Sequence, residues 1–387
     1  MAEPRDRRVV MLVRNVYTHD SRVEKEARTL VEAGYAVTIV ADAGPGLPER
    51  ERRDDSDVVR VARRGSRLPG IRFIVHELRL LRTLLRLRPE ILHAHDSNAL
   101  IPVALAARRL GIGFVYDAHD LWLGRPRRER SRLGFFLHQA WYTVIERLLI
   151  PRAAAAITVS PPIVRHLQDR YGLDHVALVA NYPERAAVDA PPVDLRELPG
   201  GSAIDPDRPV VLYLGGLMGG RGLEQLVDAI ALTRSAQLVL LGDGLLAAPL
   251  RERAQRAGIG ERVHLLPPVE PDRVVSVTSG ADVGVSPIVP SCLNYRYSLP
   301  NKLFQYMAAG VPVVASDFPQ VREIVEGERC GLVADTTRPA AVAAAIEAIL
   351  ADPAEARAMG ERGRSAVRRQ LNWRAAAKVL LEVYARL

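Results

Sequence analysis

Residues 298–315 read SLPNKLFQYMAAGVPVVA, and this stretch predicts a loop, a short helix and a buried strand in immediate succession. Pro300 and Asn301 make a stop followed by a helix start, and Gly310 ends the helix before a run of valines. A helix entered in this way directs free backbone N–H groups at the loop before it, where an anion can bind. Lys302 lies in the first turn, where a cation is unfavourable unless something negative is near. The stretch therefore indicates an anion site, with a solvated lysine on an ordinary helix as the alternative.

Outward from this stretch, the whole chain alternates strand-like and helix-like segments. Near the N-terminus, an apolar run at 9–13, a helical pattern at 21–34 and a second apolar run at 35–40 make a βαβ unit. Strands that alternate with helices predict parallel sheets covered on both faces. Further strands are predicted at 91–94, 114–117, 155–159, 210–214, 237–241, 263–266, 283–287, 313–315 and 331–334.

The length of 387 residues is too great for one hydrophobic core, so we expect two domains. Residues 185–209 are rich in Pro, Asp and Ala without sustained periodicity, and we interpret them as the linker. The predicted fold class is α/β, with two tandem doubly wound, Rossmann-like domains at 1–184 and 210–372. Ligands of such sheets bind outside the carboxyl ends of the strands, so we expect the two sheets to face a central cleft.

The net charge of +8 is confined to the first half of the chain. Residues 1–184 contain 30 Lys and Arg against 22 Asp and Glu, whereas residues 185–387 contain 23 of each. This asymmetry indicates an anionic partner or a membrane surface at the first domain, although an arginine-rich composition alone would also produce it. Nucleic acid is disfavoured as a partner because no recognised binding motif accompanies the charge.

Two segments of the first half are suited to such a surface. The helix-like stretch 71–88 carries arginines on one face, and a basic run precedes an aromatic-rich stretch at 133–142. We expect peripheral contact with an anionic membrane or binding of a phosphorylated acceptor, with an ordinary amphipathic helix and a charged loop as the alternative. The arginines are Arg79, Arg82 and Arg86 in the helix and Arg125, Arg127, Arg128, Arg130 and Arg132 in the run.

Cysteine usage and hydropathy indicate the cellular location. Cys292 and Cys330 have no neighbours at metal-ligand spacing, so we expect buried or free thiols, which suit a reducing cytoplasm. No apolar stretch approaches the ~20 residues of a membrane span. Residues 1–8 are charged and lack the apolar core of a secretory signal. We therefore expect a cytoplasmic protein. Any contact that it makes with a membrane should be peripheral, at the inner face.

Two glycine loops follow predicted strands of the second domain. The loop 215–222 reads GGLMGGRG, in which glycines let a ligand approach the backbone and Arg221 offers donors suited to phosphate. Arg221 and Gly222 replace the Lys and Ser/Thr of a P-loop, which excludes an NTPase, and the dinucleotide fingerprint is absent, which disfavours an NAD enzyme. The loop 242–244 reads GDG and ends the neighbouring strand. With the helix start at 301, the loops predict a diphosphate and nucleoside pocket, a structural glycine turn being the alternative.

Histidines and carboxylates end two predicted strands of the first domain. The sequences are HAHD at 93–96 and YDAHD at 116–120, and these side chains are suited to hold sugar hydroxyls or to relay protons. A metal site is a further alternative that we disfavour, since no HExxH pattern supports it. The sequence DSD at 55–57 lies in a charged run and is interpreted as a solvated loop. The acceptor-side candidates are Asn15, His19, Asp20, His95, Asp96, Asp117 and Asp120.

The ordered set of these motifs resembles family 4 glycosyltransferases of GT-B fold over nearly the whole chain. The likeness includes GYAVT at 34–38, the two His- and Asp-bearing strand ends, TVS at 158–160, both glycine loops, the stretch 300–312 and GLV at 331–333. The resemblance implies transfer of a sugar from a nucleotide diphosphate donor to an acceptor, with retention and without a metal or other cofactor. It also implies a donor-binding second domain, an acceptor-binding first domain, and a final helix at 373–387 that packs back on the first domain.

By the same resemblance, His119 would contact the transferred sugar, Arg221 and Lys302 the diphosphate, and Gln305 the ribose. Tyr297 and Gln305 occupy the positions of two glutamates that are usual in the family, and Gly216 stands where an arginine is common. The predicted catalytic residues are His119, Arg221 and Lys302. The predicted donor-binding residues are Gly215, Gly216, Gly220, Arg221, Gly242, Asp243, Gly244, Tyr297, Ser298, Leu299, Pro300, Asn301, Lys302 and Gln305.

Two other functions remain open at this point. A nucleotide-sugar epimerase of the same architecture would change its donor without an acceptor. A catalytically silent subunit that binds a nucleotide sugar would support a partner enzyme, and the missing glutamates are consistent with it. The base, the sugar and the acceptor have no readable signature in the sequence.

Overall fold

The computed structural model describes residues 7–63, 68–125 and 131–387, and it divides into two compact units. The first unit contains the chain up to Ala180 together with Ala376–Leu387, and the second contains Asn181–Ala375. Each unit is built on its own, mainly parallel sheet. Among the described residues, no helix has both the length and the apolar character that crossing a membrane requires.

The first unit is an eight-stranded sheet in the order β3-β4-β2-β1-β5-β6-β7-β8. All pairs are parallel except β3 with β4, which form a hairpin at one edge. The order changes direction between β1 and β5, which is where open α/β sheets bind ligands. The strands are β1 (Arg8–Leu12), β2 (Ala36–Asp42), β3 (Arg50–Arg53), β4 (Ser56–Val61), β5 (Ile91–His95), β6 (Phe114–Ala118), β7 (Ala155–Thr158) and β8 (Ala177–Leu178).

Helices connect these strands by crossovers. Helix α1 connects β1 to a strand on one side of it, whereas α2, α3 and α4 each lead toward the opposite edge of the sheet. Because such connections are right-handed, α1 lies on one face of the sheet and α2, α3 and α4 lie on the other. The helices are α1 (Ser21–Glu32), α2 (Pro69–Leu87), α3 (Leu100–Leu110), α4 (Arg132–Leu149) and α5 (Pro161–Tyr171).

The second unit is a six-stranded parallel sheet in the order β11-β10-β9-β12-β13-β14. Alternate residues of β9 enter two separate cores, since Leu212 belongs to one apolar cluster and Val211 to the other. Both faces of the sheet are thus buried, as expected for doubly wound units. The strands are β9 (Val210–Leu214), β10 (Gln237–Leu241), β11 (Val263–Leu266), β12 (Val283–Ser286), β13 (Val313–Ser316) and β14 (Gly331–Ala334).

Helices of the second unit cover both faces of its sheet. Three helices follow β14, and the last of them, α14, lies mostly in the segment Ala376–Leu387 of the first unit. The helices are α6 (Leu223–Leu232), α7 (Ala247–Arg256), α8 (Val274–Thr278), α9 (Leu293–Tyr297), α10 (Asn301–Ala309), α11 (Pro319–Gly327), α12 (Pro339–Leu350), α13 (Pro353–Arg369) and α14 (Trp373–Tyr384).

Two segments differ from the sequence interpretation. Residues 185–209 are not a free linker, because Leu195 and Ile204 are buried in a core of the second unit between short 3₁₀ turns. The charged run near 55–57 contains a β-hairpin, whose turn places Asp54 and Asp55 at positive φ. Short turns and polar hairpins carry little hydrophobic periodicity, which explains why the pattern did not reveal them.

Tyr306 fills the point where β9 and β12 diverge. Its ring lies so close to Gly284 of β12 that a Cβ there would approach it to 2.4 Å. Its hydroxyl accepts a hydrogen bond from Leu214 N at 3.1 Å and donates toward Leu212 O and Val285 O. The divergence leaves backbone groups without strand partners, and Tyr306 satisfies them in place of water.

Gly222 fixes the entry to α6, and we expect its replacement by alanine to destabilise the second unit. Its φ is +71°, and an added Cβ would lie 1.7 Å from the carbonyl oxygen of Pro287. Gly258 is the matched control, because its φ is +72° and nothing lies within 4 Å of an added Cβ. We expect Gly258→Ala to cost about 1–2 kcal/mol from left-handed strain alone, and Gly222→Ala on the order of 2 kcal/mol more from the clash. Urea unfolding measures both, and equal costs would contradict the clash.

Candidate functional site

The ammonium group of Lys302 defines the candidate site of the second unit. Lys302 lies in the first turn of α10, and only 8% of its surface is exposed. Its Nζ is 3.7 Å from the centroid of the Tyr213 ring. Burial, and secondarily the positive charge of Arg221, lower the pKa of Lys302 well below its ordinary value. The ammonium is therefore held against an aromatic face in a place where its charge is poorly solvated.

Arg221 provides a second cation beside Lys302. Its guanidinium carbon is 5.1 Å from the centroid of the Tyr295 ring, so it stacks on an aromatic side chain as well. Gly220 makes room for this arrangement, since an added Cβ would come within 2.6 Å of the Tyr295 ring. Among the ion pairs of the described residues, none joins Lys302 or Arg221 to a carboxylate. Two neighbouring cations without acidic partners form a site suited to an anion.

The two glycine loops are held together by backbone contacts. Leu217 N donates to Asp243 O at 2.8 Å, and an added Cβ on Gly242 would lie 2.2 Å from Gly215 O. An added Cβ on Gly244 would similarly meet Leu217 O at 2.3 Å. These close approaches require glycine, so the loops form one surface rather than two independent turns. The hydroxyl of Tyr213 donates to Gly216 O at 3.0 Å and ties the same surface to the ring beneath Lys302.

The start of α10 adds backbone donors to this place. Pro300 precedes the helix and caps it with no side-chain hydrogen bond, which leaves the first N–H groups for another partner. An added Cβ on Gly215 would lie 3.9 Å from Lys302 Nζ, so the helix start and the first glycine loop are adjacent. The structure thus brings together the loops and the helix start that the sequence predicted as one pocket. Ser298 donates to Tyr295 O, Leu299 is buried, Asn301 is exposed, and Tyr297 and Gln305 are half-buried.

Asp117 is the centre of the candidate site of the first unit. It ends β6 fully buried and forms a bidentate ion pair with Arg22 of α1, at 2.9 Å and 2.8 Å. Burial opposes its ionisation, but Arg22 and His119 hold its pKa well below the ordinary value. Asp117 was predicted on the acceptor side, yet its burial keeps it from direct contact with a ligand. It instead supports the groups around it.

His119 lies above Asp117 and is partly exposed. Its Nε2 is 2.8 Å from Asp117 Oδ2, and its backbone N–H donates to Asp96 Oδ1 at 3.1 Å. Burial disfavours the charged imidazole, but the Asp117 carboxylate outweighs it and raises the pKa of His119 to about 9. His119 is therefore an imidazolium near neutral pH, able to donate a hydrogen bond or to attract negative charge.

Four buried donors, one of which is Asp117 itself, have the spacing of a metal site. The atoms of Glu26, His93, His95 and Asp117 lie within 4.8 Å of one another. The guanidinium of Arg22, however, already contacts Asp117 and lies 3.0 Å from Glu26 Oε1. Burial raises the pKa of Glu26 to about 8 and lowers that of His93 well below its ordinary value. Because Arg22 already balances the Asp117 carboxylate and burial favours the neutral forms of Glu26 and His93, this cluster fits an internal ion network better than a metal.

The other acceptor-side candidates lie on neighbouring loops with local partners. Asn15 donates to Asp20 Oδ2 at 2.8 Å, and Asp20 caps the start of α1. His19 is exposed on the same loop. Arg125 bridges Asp96 and Asp120, at 2.9 Å and 3.2 Å. These contacts show ordered loops at the carboxyl ends of β1, β5 and β6, where the prediction placed them.

Sequence reasoning missed Arg22, Glu26, Tyr213 and Tyr295. Arg22 and Glu26 are four residues apart in α1, a spacing that ordinarily indicates a surface ion pair, and both are buried. Tyr213 and Tyr295 are a strand and a helix residue whose approach to the cations depends on the folded sheet. The signal that was available for Tyr213 is a hydroxylated aromatic residue within an otherwise aliphatic strand.

Two family models match the chain, one in each half. Residues 21–182 match the model described as "Glycosyltransferase Family 4", and residues 208–352 match "Glycosyl transferases group 1". A D-inositol 3-phosphate glycosyltransferase of Xylanimonas cellulosilytica is 32% identical, over 76% of this chain and 72% of that protein. A GDP-mannose-dependent alpha-(1-6)-phosphatidylinositol monomannoside mannosyltransferase of Mycobacterium tuberculosis is 29% identical, over 72% and 79% of the two chains.

Solved structures agree on the architecture. Sucrose-phosphate synthase from Thermosynechococcus elongatus superposes with a TM-score of 0.81 at 21% identity, covering 98% of both chains. HepE from Anabaena in complex with UDP-glucose superposes with a TM-score of 0.78 at 16% identity, covering 98% of this chain and 100% of that one. At these identities the likeness establishes the fold.

The charge state of His119 makes a pH prediction. Its pKa rises from an ordinary 6.5 to about 9, so its pairing with Asp117 stabilises the fold fully below pH 6.5 and loses this effect as the pH rises through 9. We expect the stability advantage of the natural chain over His119→Gln to follow that course in chemical denaturation. NMR titration of the imidazole provides the direct measurement, and a midpoint near 6.5 would contradict the assigned charge.

Proposed function

The chain belongs to glycosyltransferase family 4 and has the GT-B fold, and from this premise we propose that it transfers a sugar from a nucleoside diphosphate donor bound by its second unit. The observation that carries the proposal is the pair of cations, Lys302 and Arg221, which have aromatic neighbours and, within the described part of the chain, no carboxylate partners. A diphosphate supplies the negative charge that this place lacks. The start of α10 and the glycine loops offer backbone N–H groups to the same oxygens.

The proposed catalytic effect is electrostatic. When the bond between the sugar and the diphosphate breaks, negative charge grows on the departing diphosphate. Lys302 and Arg221 are fixed before the reaction, so they stabilise this charge without reorganisation of solvent. We propose that no metal takes this part, which the two preorganised cations support. We also propose retention at the anomeric carbon, in keeping with the resemblance described for the sequence.

Similar proteins suggest donors to test. The mannosyltransferase of Mycobacterium tuberculosis is named for GDP-mannose, and HepE was solved with UDP-glucose. Both names concern those proteins, and for this chain we propose a purine or pyrimidine nucleoside diphosphate sugar whose base is to be identified by binding. The acceptor that we propose is a hydroxyl of a glycan, a small polyol or a lipid headgroup.

We further propose that the reaction takes place in the cytoplasm. Cys292 and Cys330 are free thiols, which supports a reducing compartment. The excess of positive charge in the first half of the chain supports a peripheral position at the inner face of a membrane.

Removal of either cation tests the donor site. We expect Lys302→Met and Arg221→Gln each to weaken binding of GDP or UDP by about 10-fold or more, and to lower turnover by about 10²-fold or more. Methionine keeps most of the buried volume of Lys302, so the loss reports charge rather than packing. Isothermal titration calorimetry and sugar release from a panel of nucleotide sugars are the measurements.

The control for these variants is Arg251→Ala, an exposed cation on α7 of the same unit. It removes one positive charge, as each of the two site variants does, and should leave binding of GDP or UDP unchanged. Unaltered binding in both site variants would overturn the proposed donor site.

An epimer formed from donor alone would favour the epimerase, and binding without turnover against any acceptor would favour the silent subunit.

His119→Ala tests the contribution of the first unit. We expect it to lower transfer by about 10²-fold while nucleotide binding stays within twofold, because the cations are in the second unit. Loss of both would indicate misfolding, which a thermal melt detects.

Turnover that persists after treatment with EDTA, and a product of unchanged anomeric configuration by NMR, are the expected results for the metal-free, retaining reaction.

A further inference from the structure

Three neighbouring helices of the first unit have an outward surface that is unusually apolar. In the described part of the chain, eleven of the sixteen large apolar side chains that are exposed lie on α2, α3 and α4. Helix α3 packs against both α2 and α4, so the three helices form one continuous layer over the sheet. We call their outward surface the α2–α4 face. Apolar side chains concentrated in this way mark an interaction surface, whereas scattered ones need no explanation.

Helix α4 contributes most of the apolar area. Its exposed large side chains recur at three- and four-residue spacing and therefore form one stripe along the helix. Phe136 is 67% exposed and Trp141 is 50% exposed. The stripe consists of Leu133, Phe136, Leu137, Trp141, Val144 and Leu148.

Helices α2 and α3 extend the surface beyond α4. Ile71, Ile74 and Leu78 follow one another at helical spacing on α2, and each is about half exposed. Leu105 is exposed on α3 between the two outer helices. Apolar side chains at this spacing ordinarily form the core-facing side of an amphipathic helix. In the structure this part of α2 is exposed, so these apolar side chains need a partner outside the unit.

The charges on the α2–α4 face are of one sign. Seven exposed arginines occur on the three helices, including Arg72, Arg109 and Arg147. The three helices contain only two carboxylates, and both are buried. Glu77 bonds to Arg14 at 2.6 Å, and Glu146 accepts hydrogen bonds from Ser97 and Tyr171. Every charged side chain that α2, α3 and α4 present to solvent is therefore positive.

We propose that the α2–α4 face docks on an anionic lipid bilayer. Helix α4 lies in the plane of the interface, with its apolar stripe at the acyl boundary and Trp141 at the headgroup level. The arginines attract the anionic headgroups electrostatically, and salt weakens this attraction by screening it. The proposal goes beyond sugar transfer and concerns a different part of the protein from the donor site.

A second copy of the chain fits this face poorly. In a twofold dimer the same surface meets itself, so the arginines of one copy would face those of the other without carboxylates to pair with. An anionic bilayer supplies both the apolar layer and the opposite charge. This complementarity selects the bilayer as the occupant.

Several arginines that the sequence offered for membrane contact have other positions. Arg79 donates to Ala62 O at 2.9 Å, and Arg125 is paired with Asp96 and Asp120. These two are engaged within the unit. Arg127, Arg128 and Arg130 lie outside the described residues. Arg82, Arg86 and Arg132 are exposed on α2 and α4.

Vesicle co-sedimentation tests the proposal with the full chain. We expect binding to vesicles of phosphatidylglycerol and phosphatidylcholine, at least about 10-fold weaker binding to pure phosphatidylcholine, and weakening as salt is raised. Phe136→Glu with Trp141→Glu should lower binding by about 10-fold or more. Leu245→Glu is the matched control, because Leu245 is 91% exposed on the second unit, outside the α2–α4 face, and its substitution should leave binding unchanged.

The outcomes separate the possible occupants. Absence of binding to anionic vesicles at low salt, or equal binding by the double variant, would overturn the proposal. A concentration-dependent dimer that the double variant abolishes would assign the face to a second copy instead. Quenching of Trp141 fluorescence by brominated lipid, absent in Trp141→Phe, is the expected positional signature. Donor is omitted from all of these assays, so they succeed or fail independently of sugar transfer.

Discussion

The second unit depends on a buried amine, that of Lys302, which has no carboxylate partner among the residues that the structure describes. Removing an ammonium group from water costs several kcal/mol, and contact with an aromatic ring returns only about 0.5–2 kcal/mol. Lys302 has Tyr213 beneath it and Arg221 beside it, and the second of these neighbours makes the cost larger. Burial and Arg221 therefore disfavour the protonated amine, and a bound anion would favour it. The glycine loops and the start of α10 matter because they direct backbone donors at the same place.

The first unit buries charge in the opposite manner. Arg22 is buried like Lys302, but the Asp117 carboxylate neutralises it within the fold. The remaining positive charge is on His119, which is partly exposed and held by Asp117. One unit thus contains a closed ion network with the imidazolium of His119 at its edge, whereas the other leaves two cations for a ligand. This difference explains why the donor is assigned to the second unit on physical grounds as well as by resemblance.

Much of the fold was predictable because buried strands and amphipathic helices have strong periods. The strands at 91–95 and 210–214 and the helix start at Asn301 were located within a residue. The hairpin of β3 and β4 was missed because its strands are charged, and the packed turns at 185–209 were missed because short turns have no period. Lys302 was found because a lysine at a helix start is anomalous. Tyr213 and Arg22 were missed because their significance arises from contacts between distant elements, which no local pattern encodes.

The discontinuity of the first unit has a consequence for biosynthesis. His93 is buried against Tyr384, with Nδ1 2.7 Å from the hydroxyl, and these residues are separated by the whole of the second unit. At ordinary translation rates the ribosome needs about 10–40 s to add the intervening segment Asn181–Ala375. During this interval the nascent N-terminal sheet lacks its last helix, and His93 lacks its hydrogen-bond partner. The first unit therefore cannot complete its fold until the second unit, which is continuous in sequence, has been synthesised.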